Sequence, residues 1–327
     1  MHVRGQGGGK ESGGQLRRRE FEVNADFEPL GKLDKAASSE GEPVPELPVL
    51  PPILQQNPGE FREHELSTPK GSRKKRMLIV YLPPGYSADD PWRYPVVYVQ
   101  DGQNIFDPAT SAFGVDWGLD RVLQTGILEG KIRPLILAAV YNSRGRLDEY
   151  TPTSDPTHRG GKADEYMQFL LEEVKPLVDS QYHTSSVREE TCMLGSSLGG
   201  LVALYAGWRY NKIFGVVGAL SPSLWWAGRD LITGMGGDPD FRGPERLWID
   251  MGTRESNDDR NRNGVPDVLD DLRTLRAVLL YRGYIEGRNL FYEEVEGAAH
   301  TESDWGKRAG RVLAALFPPV VREDTAL

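Results

Sequence analysis

The sequence predicts an α/β fold in which helices cover both faces of a mostly parallel central sheet. Short apolar runs rich in β-branched residues alternate with amphipathic segments long enough to form helices. This alternation is typical of parallel crossover units. The length of 327 residues and an apolar content of 39% are sufficient for one large core.

Seven apolar runs mark the predicted strands. They are MLIVYL (77–82), YPVVYVQ (94–100), PLILAAVYN (134–142), TCMLG (191–195), FGVVGAL (214–220), RLWIDMG (246–252) and NLFYEEV (289–295). The first two runs are joined without room for a helix, which predicts an antiparallel start to the sheet. The predicted helices are the amphipathic segments 116–128, 162–178, 198–208, 268–282 and 303–316.

Residues 1–57 differ in composition from the rest of the chain. They combine glycine, charged residues and a proline-rich piece, and such a segment buries too little apolar area to offset its ordering entropy. We therefore predict a disordered or extended tail over 1–57 and an α/β domain over 58–327. The first 30 residues lack the apolar core of a signal peptide, so the expected location is the cytoplasm, with secretion as the alternative if a leader was removed.

Charge and cysteine content exclude several classes of protein. The 39 Lys and Arg against 48 Asp and Glu give a net charge of −9, which argues against nucleic acid as the main partner. The one basic run, residues 73–76, is predicted to be a solvated edge leading into a strand. No apolar stretch is long enough for a transmembrane helix, and the single Cys192 cannot form an intrachain disulfide.

A glycine-rich turn follows the fourth predicted strand and precedes a helical segment. It reads Gly195-Ser196-Ser197-Leu198-Gly199, a G-x-S-x-G pattern in strand–turn–helix context. This context is that of a nucleophile elbow, in which a strained turn presents the serine hydroxyl above the sheet. Ser197 is therefore the candidate nucleophile.

A serine nucleophile needs an adjacent base and an acid that orients it. His300 follows the last predicted strand, where the base of this topology belongs. Glu255 follows the strand RLWIDMG and lies between Ser197 and His300 in the chain. Asp250, inside that strand, is the rival for the acid, and Asp258 and Asp259 are further alternatives.

Two backbone N–H groups are the predicted donors to a developing oxyanion. One belongs to Leu198, directly after the nucleophile. The other belongs to Gln103 in the loop Asp101-Gly102-Gln103 that follows YPVVYVQ. An ordinary Asp-Gly turn is the alternative interpretation of that loop.

The chain resembles the "Putative esterase" family of α/β-hydrolases, which includes enterochelin esterases, feruloyl and acetyl-xylan esterases, and S-formylglutathione hydrolases. The resemblance is carried by VYLPPGY (80–86), VVYVQDGQNIFD (96–107), LGSSLGGLVALY (194–205), ALSPSLWW (219–226), WIDMGTRE (248–255) and GAAHTESDW (297–305). It implies an α/β-hydrolase fold and a serine hydrolase with Ser197, His300 and Glu255 as its triad.

The resemblance further implies that residues 221–226 line the acyl or alcohol pocket, with Trp225 and Trp226 as substrate-binding residues. The alternative is that these two tryptophans only pack the core. The loop DGQN differs from the Gly-Leu-Thr-Cys type loop of formylglutathione hydrolases, which disfavours that branch.

An oxygen-rich stretch follows Glu255 and resembles a twelve-residue calcium loop of the EF-hand and dockerin type. Gly264 is at its sharp turn, and a polar loop that caps the next helix is the alternative. The predicted ligands are Asp259, Asn261, Asn263, the carbonyl of Val265, Asp267 and Asp270. A bound ion is expected to brace the loop that carries Glu255, while catalysis itself needs no cofactor.

The sequence therefore predicts a serine carboxylic ester hydrolase that acts through an acyl-enzyme. An acyltransferase acting on a sugar or lipid hydroxyl is one alternative, and a catalytically inactive, calcium-dependent binding protein is the other. The expected partner is a small-molecule or polysaccharide-linked ester, with no nucleic acid and no membrane. The sequence does not fix the oligomeric state.

Overall fold

A computed structural model describes residues 58–67 and 75–319. The chain divides into two units, and all described residues belong to the one formed by Pro45–Leu327. The predicted tail, residues 1–57, lies outside the described residues, so that prediction is untested. Within the described ranges, no helix is long and apolar enough to cross a membrane.

Eight strands form one sheet in the order β1-β2-β4-β3-β5-β6-β7-β8. The strands are β1 (Glu60–Ser67), β2 (Lys75–Leu82), β3 (Val96–Val99), β4 (Ile136–Val140), β5 (Thr191–Ser196), β6 (Val216–Leu220), β7 (Arg246–Gly252) and β8 (Leu290–Val295). Strand β2 runs antiparallel to both of its neighbours, and β3 to β8 are parallel. The predicted α/β class with a mostly parallel sheet is confirmed.

The antiparallel start differs in detail from the prediction. The first two predicted runs became β2 and β3, which have opposite directions, but β4 lies between them. On its other side, β2 pairs with β1, a strand that the apolar pattern did not predict. Half of its residues are charged and exposed, as an edge strand allows.

From β3 onward, one or more helices follow each strand in the described residues. They are α1 (Leu119–Leu128), α2 (Arg146–Glu149), α3 (Ala163–Phe169), α4 (Lys175–Gln181), α5 (Leu198–Arg209), α6 (Trp226–Gly237), α7 (Asp267–Tyr281) and α8 (Glu302–Leu316). A π-helical turn over Leu170–Val174 joins α3 to α4. The five predicted helical segments are all present, whereas α2 and α6 were not predicted.

The sheet separates two apolar clusters because side chains alternate between its faces. Val96 and Tyr98 of β3 belong to the cluster beneath α3, α5, α6 and α7. Val97 and Val99 belong to the cluster beneath α1 and α8. Helices thus cover both faces, and the loops that leave the carboxyl ends of the parallel strands share one edge of the sheet, where ligands bind in open α/β folds.

The two described residues of the basic run, Lys75 and Arg76, differ in exposure. Lys75 is exposed, but the side chain of Arg76 is buried and forms an ion pair with Glu149 at 2.6 Å. Its guanidinium also lies over the rings of Tyr166 and Phe169. The expectation was wrong at Arg76 because α2 and α3 pack over the start of β2 and supply these partners.

Candidate active site

Ser197 lies at the turn between β5 and α5 with φ 56° and ψ −124°. Such a left-handed backbone is strained for a residue other than glycine, as a nucleophile elbow requires. The Ser197 N–H donates to the carbonyl of Leu220 at 3.0 Å, which ties the turn to β6. A Cβ added at Gly195 would lie 2.6 Å from the backbone of Gly199, so the close packing of strand on helix needs glycine there.

A continuous hydrogen-bond chain joins the three predicted triad residues. His300 Nε2 lies 2.9 Å from Ser197 Oγ, and His300 Nδ1 lies 2.8 Å from Glu255 Oε2. The His300 side chain is 40% exposed and that of Glu255 is 2% exposed. A substrate can therefore reach the imidazole, while the acid is shielded from water.

The rival acid, Asp250, is occupied elsewhere. It pairs with Arg308, with Nη2 to Oδ1 at 2.8 Å and Nε to Oδ2 at 3.1 Å. Both side chains are buried, and burial raises the pKa of Asp250 while Arg308 opposes that change. The geometry thus places Glu255, and not Asp250, on His300.

The predicted oxyanion donors lie at the ends of β5 and β3. Leu198 is the first residue of α5, where backbone N–H groups have no partner within the helix. Gln103 lies in a 3₁₀ turn over Gly102–Asn104. Across residues 58–67 and 75–319, neither N–H has a protein acceptor, so both are free to donate to a ligand.

The 3₁₀ turn is anchored by Asp101, a residue that sequence reasoning named only as part of the loop. Asp101 has φ 56° and binds Arg146 through two hydrogen bonds of 2.7 and 2.8 Å. Asn142 donates to the same carboxylate at 2.7 Å. This bidentate pair holds the loop of Gln103 against the segment that follows β4.

We expect Gly102→Ala to lower kcat about 10²-fold or more while KM changes little. A Cβ at residue 102 would lie 2.7 Å from the backbone of Ala139, so the loop would have to move away from β4 and carry the Gln103 N–H with it. Loss of one oxyanion donor typically costs this much. Steady-state kinetics test the prediction, and Gly237→Ala at the end of α6, where an added Cβ meets no atom within 4 Å and the backbone is not left-handed, is the control.

A buried carboxyl group, Glu302, lies beside the oxyanion loop and was not predicted from the sequence. Its Oε1 accepts a hydrogen bond from Asn104 Nδ2 at 3.2 Å. Burial raises the pKa of Glu302 above its ordinary value. The sequence feature that could have indicated Glu302 is its position two residues after His300, at the start of α8.

The two tryptophans of the predicted pocket differ in exposure. Trp226 is 2% exposed, and its Nε1 donates to the carbonyl of Thr153 at 2.7 Å. Trp225 is only half-buried, and the ring of His158 lies within 6 Å of both indoles. Trp226 therefore packs the core, whereas Trp225 keeps part of its ring exposed and stays the candidate for substrate binding.

The predicted calcium loop brings four of its six residues together. Asn261 and Asn263 each contact Asp270 Oδ2, at 3.0 and 2.8 Å, and Asp259 accepts the N–H groups of Asn263 and Gly264. These side chains offer the oxygen atoms that calcium prefers.

The other two predicted ligands are arranged differently. The carboxylate of Asp267 binds Arg260 at 2.6 Å, and the N–H of Val265 donates to Asn263 Oδ1 at 2.8 Å. Within the described ranges, no three or more His, Cys, Asp or Glu side chains form a metal-binding group. Asp267 is thus occupied by an ion pair with Arg260, and the other five residues remain candidate ligands.

Calcium binding by this loop stays a prediction with a direct test. A calcium concentration one hundred times Kd would stabilise the protein by about 2.7 kcal/mol. We expect the thermal midpoint to rise in calcium relative to chelator, and the rise to disappear in Asp259→Ala. Equal midpoints in calcium and chelator would contradict the prediction, and magnesium at the same concentration controls for ionic strength.

The comparison with known proteins identifies the family of the chain. The sequence model described as "Putative esterase" matches residues 71–314, three quarters of the chain. The chain belongs to this esterase family. The matched segment of the esterase contains Ser197, Glu255 and His300, and the resemblance drawn from its motifs is confirmed.

Two curated relatives resemble parts of the esterase. The protein named "Uncharacterized protein YbbA" of Bacillus subtilis is 31% identical over 174 residues, which is 51% of this chain and 62% of the relative. The siderophore triacetylfusarinine C esterase of Aspergillus fumigatus is 32% identical over 134 residues, 40% of this chain and 45% of the relative. The matched part thus spans only about half to three fifths of these relatives.

Solved structures show the same fold. The enterochelin esterase of Shigella flexneri superposes with a TM-score of 0.59 at 20% identity, over 78% of this chain and 57% of that one. At this identity the likeness concerns the fold alone. It confirms the predicted α/β-hydrolase architecture for the esterase.

Proposed function

We propose that this esterase hydrolyses carboxylic esters through an acyl-enzyme formed on Ser197. The observation that supports the proposal is the continuous hydrogen-bond chain from Glu255 through His300 to Ser197 at a strained elbow. Two backbone N–H groups without protein acceptors in the described residues, those of Leu198 and Gln103, flank this chain in the loops after β5 and β3.

In the first half-reaction, Ser197 Oγ attacks the ester carbonyl while His300 Nε2 removes its proton. The negative charge that develops on the carbonyl oxygen is stabilised by the N–H groups of Leu198 and Gln103. Collapse of this intermediate breaks the ester C–O bond, and His300 returns the proton to the leaving alkoxide. The alcohol departs and the acyl group remains on Ser197.

In the second half-reaction, water attacks the acyl-enzyme with His300 again as the base. The carboxylic acid leaves, and Ser197 recovers its proton. Throughout both halves, Glu255 Oε2 holds the Nδ1–H of His300 and thereby keeps Nε2 directed at the serine. It also stabilises the imidazolium that forms in each step.

For the substrate we propose a small-molecule ester. The support is the siderophore triacetylfusarinine C esterase of Aspergillus fumigatus, which is 32% identical to this chain over 40% of the chain's length. The half-buried Trp225 packs beside His158 and lies two residues after Ser223, whose hydroxyl is 3.3 Å from Ser197 Oγ. A polysaccharide-linked ester is the alternative substrate class.

Hydrolysis of p-nitrophenyl acetate, butyrate and octanoate tests the reaction and its acyl preference. We expect turnover of at least one ester, with stoichiometric labelling by a fluorophosphonate. Product analysis with an added alcohol distinguishes hydrolysis from acyl transfer. Absence of both turnover and labelling would contradict the proposal and would favour a binding protein on this scaffold.

A further inference from the structure

Glu255, the proposed acid, contacts His300 through Oε2 and accepts further hydrogen bonds on its other oxygen, Oε1. Glu255 Oε1 accepts the N–H of Gly252 at 2.6 Å and also the hydroxyl of Ser221. Ser221 is the first residue after β6, and its backbone has φ 44°. The resemblance implied that Ser221 lines the substrate pocket, but its side chain lies on the acid instead and the residue is 1% exposed.

The direction of the Ser221 hydrogen bond is fixed by its other neighbours. Trp305 Nε1 approaches the hydroxyl at 2.9 Å and Arg308 Nη2 approaches it at 2.6 Å. Indole and guanidinium nitrogens only donate, and a hydroxyl has two lone pairs and one proton. Both lone pairs are therefore occupied, so the proton of Ser221 has to go to Glu255.

The donor that orients Ser221 is itself fixed by a buried ion pair. Arg308 is held by Asp250, which also accepts the backbone N–H of Ser221 at 3.0 Å and the indole N–H of Trp248 at 2.8 Å. The side chains of Arg308 and Asp250 are 1% and 0% exposed. In such surroundings a displaced guanidinium finds no water to replace its partner, which makes the arrangement rigid.

We propose that Ser221 is a positioning residue for the acid, set by the buried pair Arg308–Asp250. By donating to Oε1, the Ser221 hydroxyl fixes the rotation of the Glu255 carboxylate so that Oε2 faces His300. The Glu255 carboxylate then accepts three hydrogen bonds and donates none. This inference rests on the proposed function, because Ser221 acts on the reaction only through Glu255 and His300.

The backbone at Ser221 offers a clean variant. A φ of 44° suits glycine better than serine, so Ser221→Gly removes the hydroxyl without straining the chain. We expect kcat for p-nitrophenyl acetate to fall about 10-fold to 100-fold, the usual effect of a hydrogen bond to a charged group. KM should change less than about twofold.

A double-mutant cycle decides whether Ser221 acts through Glu255. In a Glu255→Gln background, measured at high enzyme concentration, Ser221→Gly should lower kcat less than about twofold. Equal losses in both backgrounds would overturn the proposal, because they would show that Ser221 acts independently of the acid.

A second pair of variants covers the case in which Ser221→Gly fails to fold. Arg308→Lys keeps the positive charge, which lies 3.7 Å from Glu255 Oε1, but a single ammonium cannot reproduce the fork that contacts both Asp250 and Ser221. We expect a several-fold loss of kcat. Arg311→Lys is the matched control and should leave kcat unchanged. Arg311 lies three residues further along α8 and pairs with Glu293 on the surface. Equal kcat in the two variants would overturn the proposal.

The NMR resonance of the His300 Nδ1–H reports on the hydrogen bond to Glu255 and does not require turnover. We expect this low-field NMR signal in the wild type and its loss or upfield shift in Ser221→Gly. An unchanged signal would overturn the positioning role. If the wild type shows the signal but hydrolyses no ester, then the proposed function fails while the positioning role is still decided by the spectrum.

Discussion

Ser197→Ala is expected to lower kcat/KM for p-nitrophenyl esters about 10⁴-fold or more. The hydroxyl that His300 contacts at 2.9 Å is the group that attacks the ester carbonyl in the proposed mechanism, and alanine has no atom that can take its place. The fold should be unaffected, because alanine retains the Cβ and the backbone N–H that donates to Leu220.

The neighbouring serine provides the control for this prediction. Ser196 ends β5 and is buried, and we expect Ser196→Ala to keep activity within a few fold. Fluorophosphonate labelling followed by peptide mass analysis should place the label on Ser197 alone. Turnover or labelling that survives in Ser197→Ala would contradict the assignment of the nucleophile.

Glu255→Gln is expected to lower kcat about 10³-fold to 10⁴-fold. Replacement of a triad acid by its amide leaves the shape intact but removes the acceptor that selects the imidazole tautomer, so Nε2 no longer serves as the base. The hydrogen bond lost is the 2.8 Å contact between Oε2 and His300 Nδ1. Steady-state kinetics at high enzyme concentration measure the residual rate.

Asp250→Asn separates the two carboxylates that the sequence left as rivals. Since Asp250 pairs with Arg308 and not with His300, this variant should retain more activity than Glu255→Gln and lose stability instead. Breaking a buried pair costs about 3–5 kcal/mol, which denaturant unfolding resolves. The assignment of the acid is wrong if Asp250→Asn abolishes turnover while Glu255→Gln does not.

Much of the fold was predictable because the parallel strands are buried on both faces and appear in the sequence as continuous apolar runs. Strand β1 was not, since its position at the sheet edge permits charged residues such as Arg62 and Glu63. Helix α6 was missed because its first turn is irregular. Ala227, Gly228 and Arg229 there have φ of 47°, 67° and 70°, which no amphipathic pattern encodes.

The positions of Ser197, Glu255 and His300 were predictable because the order of these residues along the chain matches the order of the parallel strands that they follow. The loops of Ser197, Glu255 and His300 follow β5, β7 and β8, and parallel strands deliver them to one edge of the sheet. The surroundings of the acid were not predicted, because an arginine in an amphipathic helix is usually taken as solvated. Arg308 lies three residues after Trp305 and four before Val312, a spacing that places it on the buried face of α8.

The long separations within the catalytic hydrogen-bond chain have a consequence for folding. The Ser197–His300 contact of this chain spans 103 residues, and the Asn104–Glu302 contact beside the oxyanion loop spans 198. Helices and pairs of strands that are adjacent in sequence can form early. Contacts of such high sequence separation form only after a large loop of chain has closed. We therefore expect the Ser197–His300 contact to be among the last features to assemble, so that an incompletely folded molecule has native-like helix content and no esterase activity.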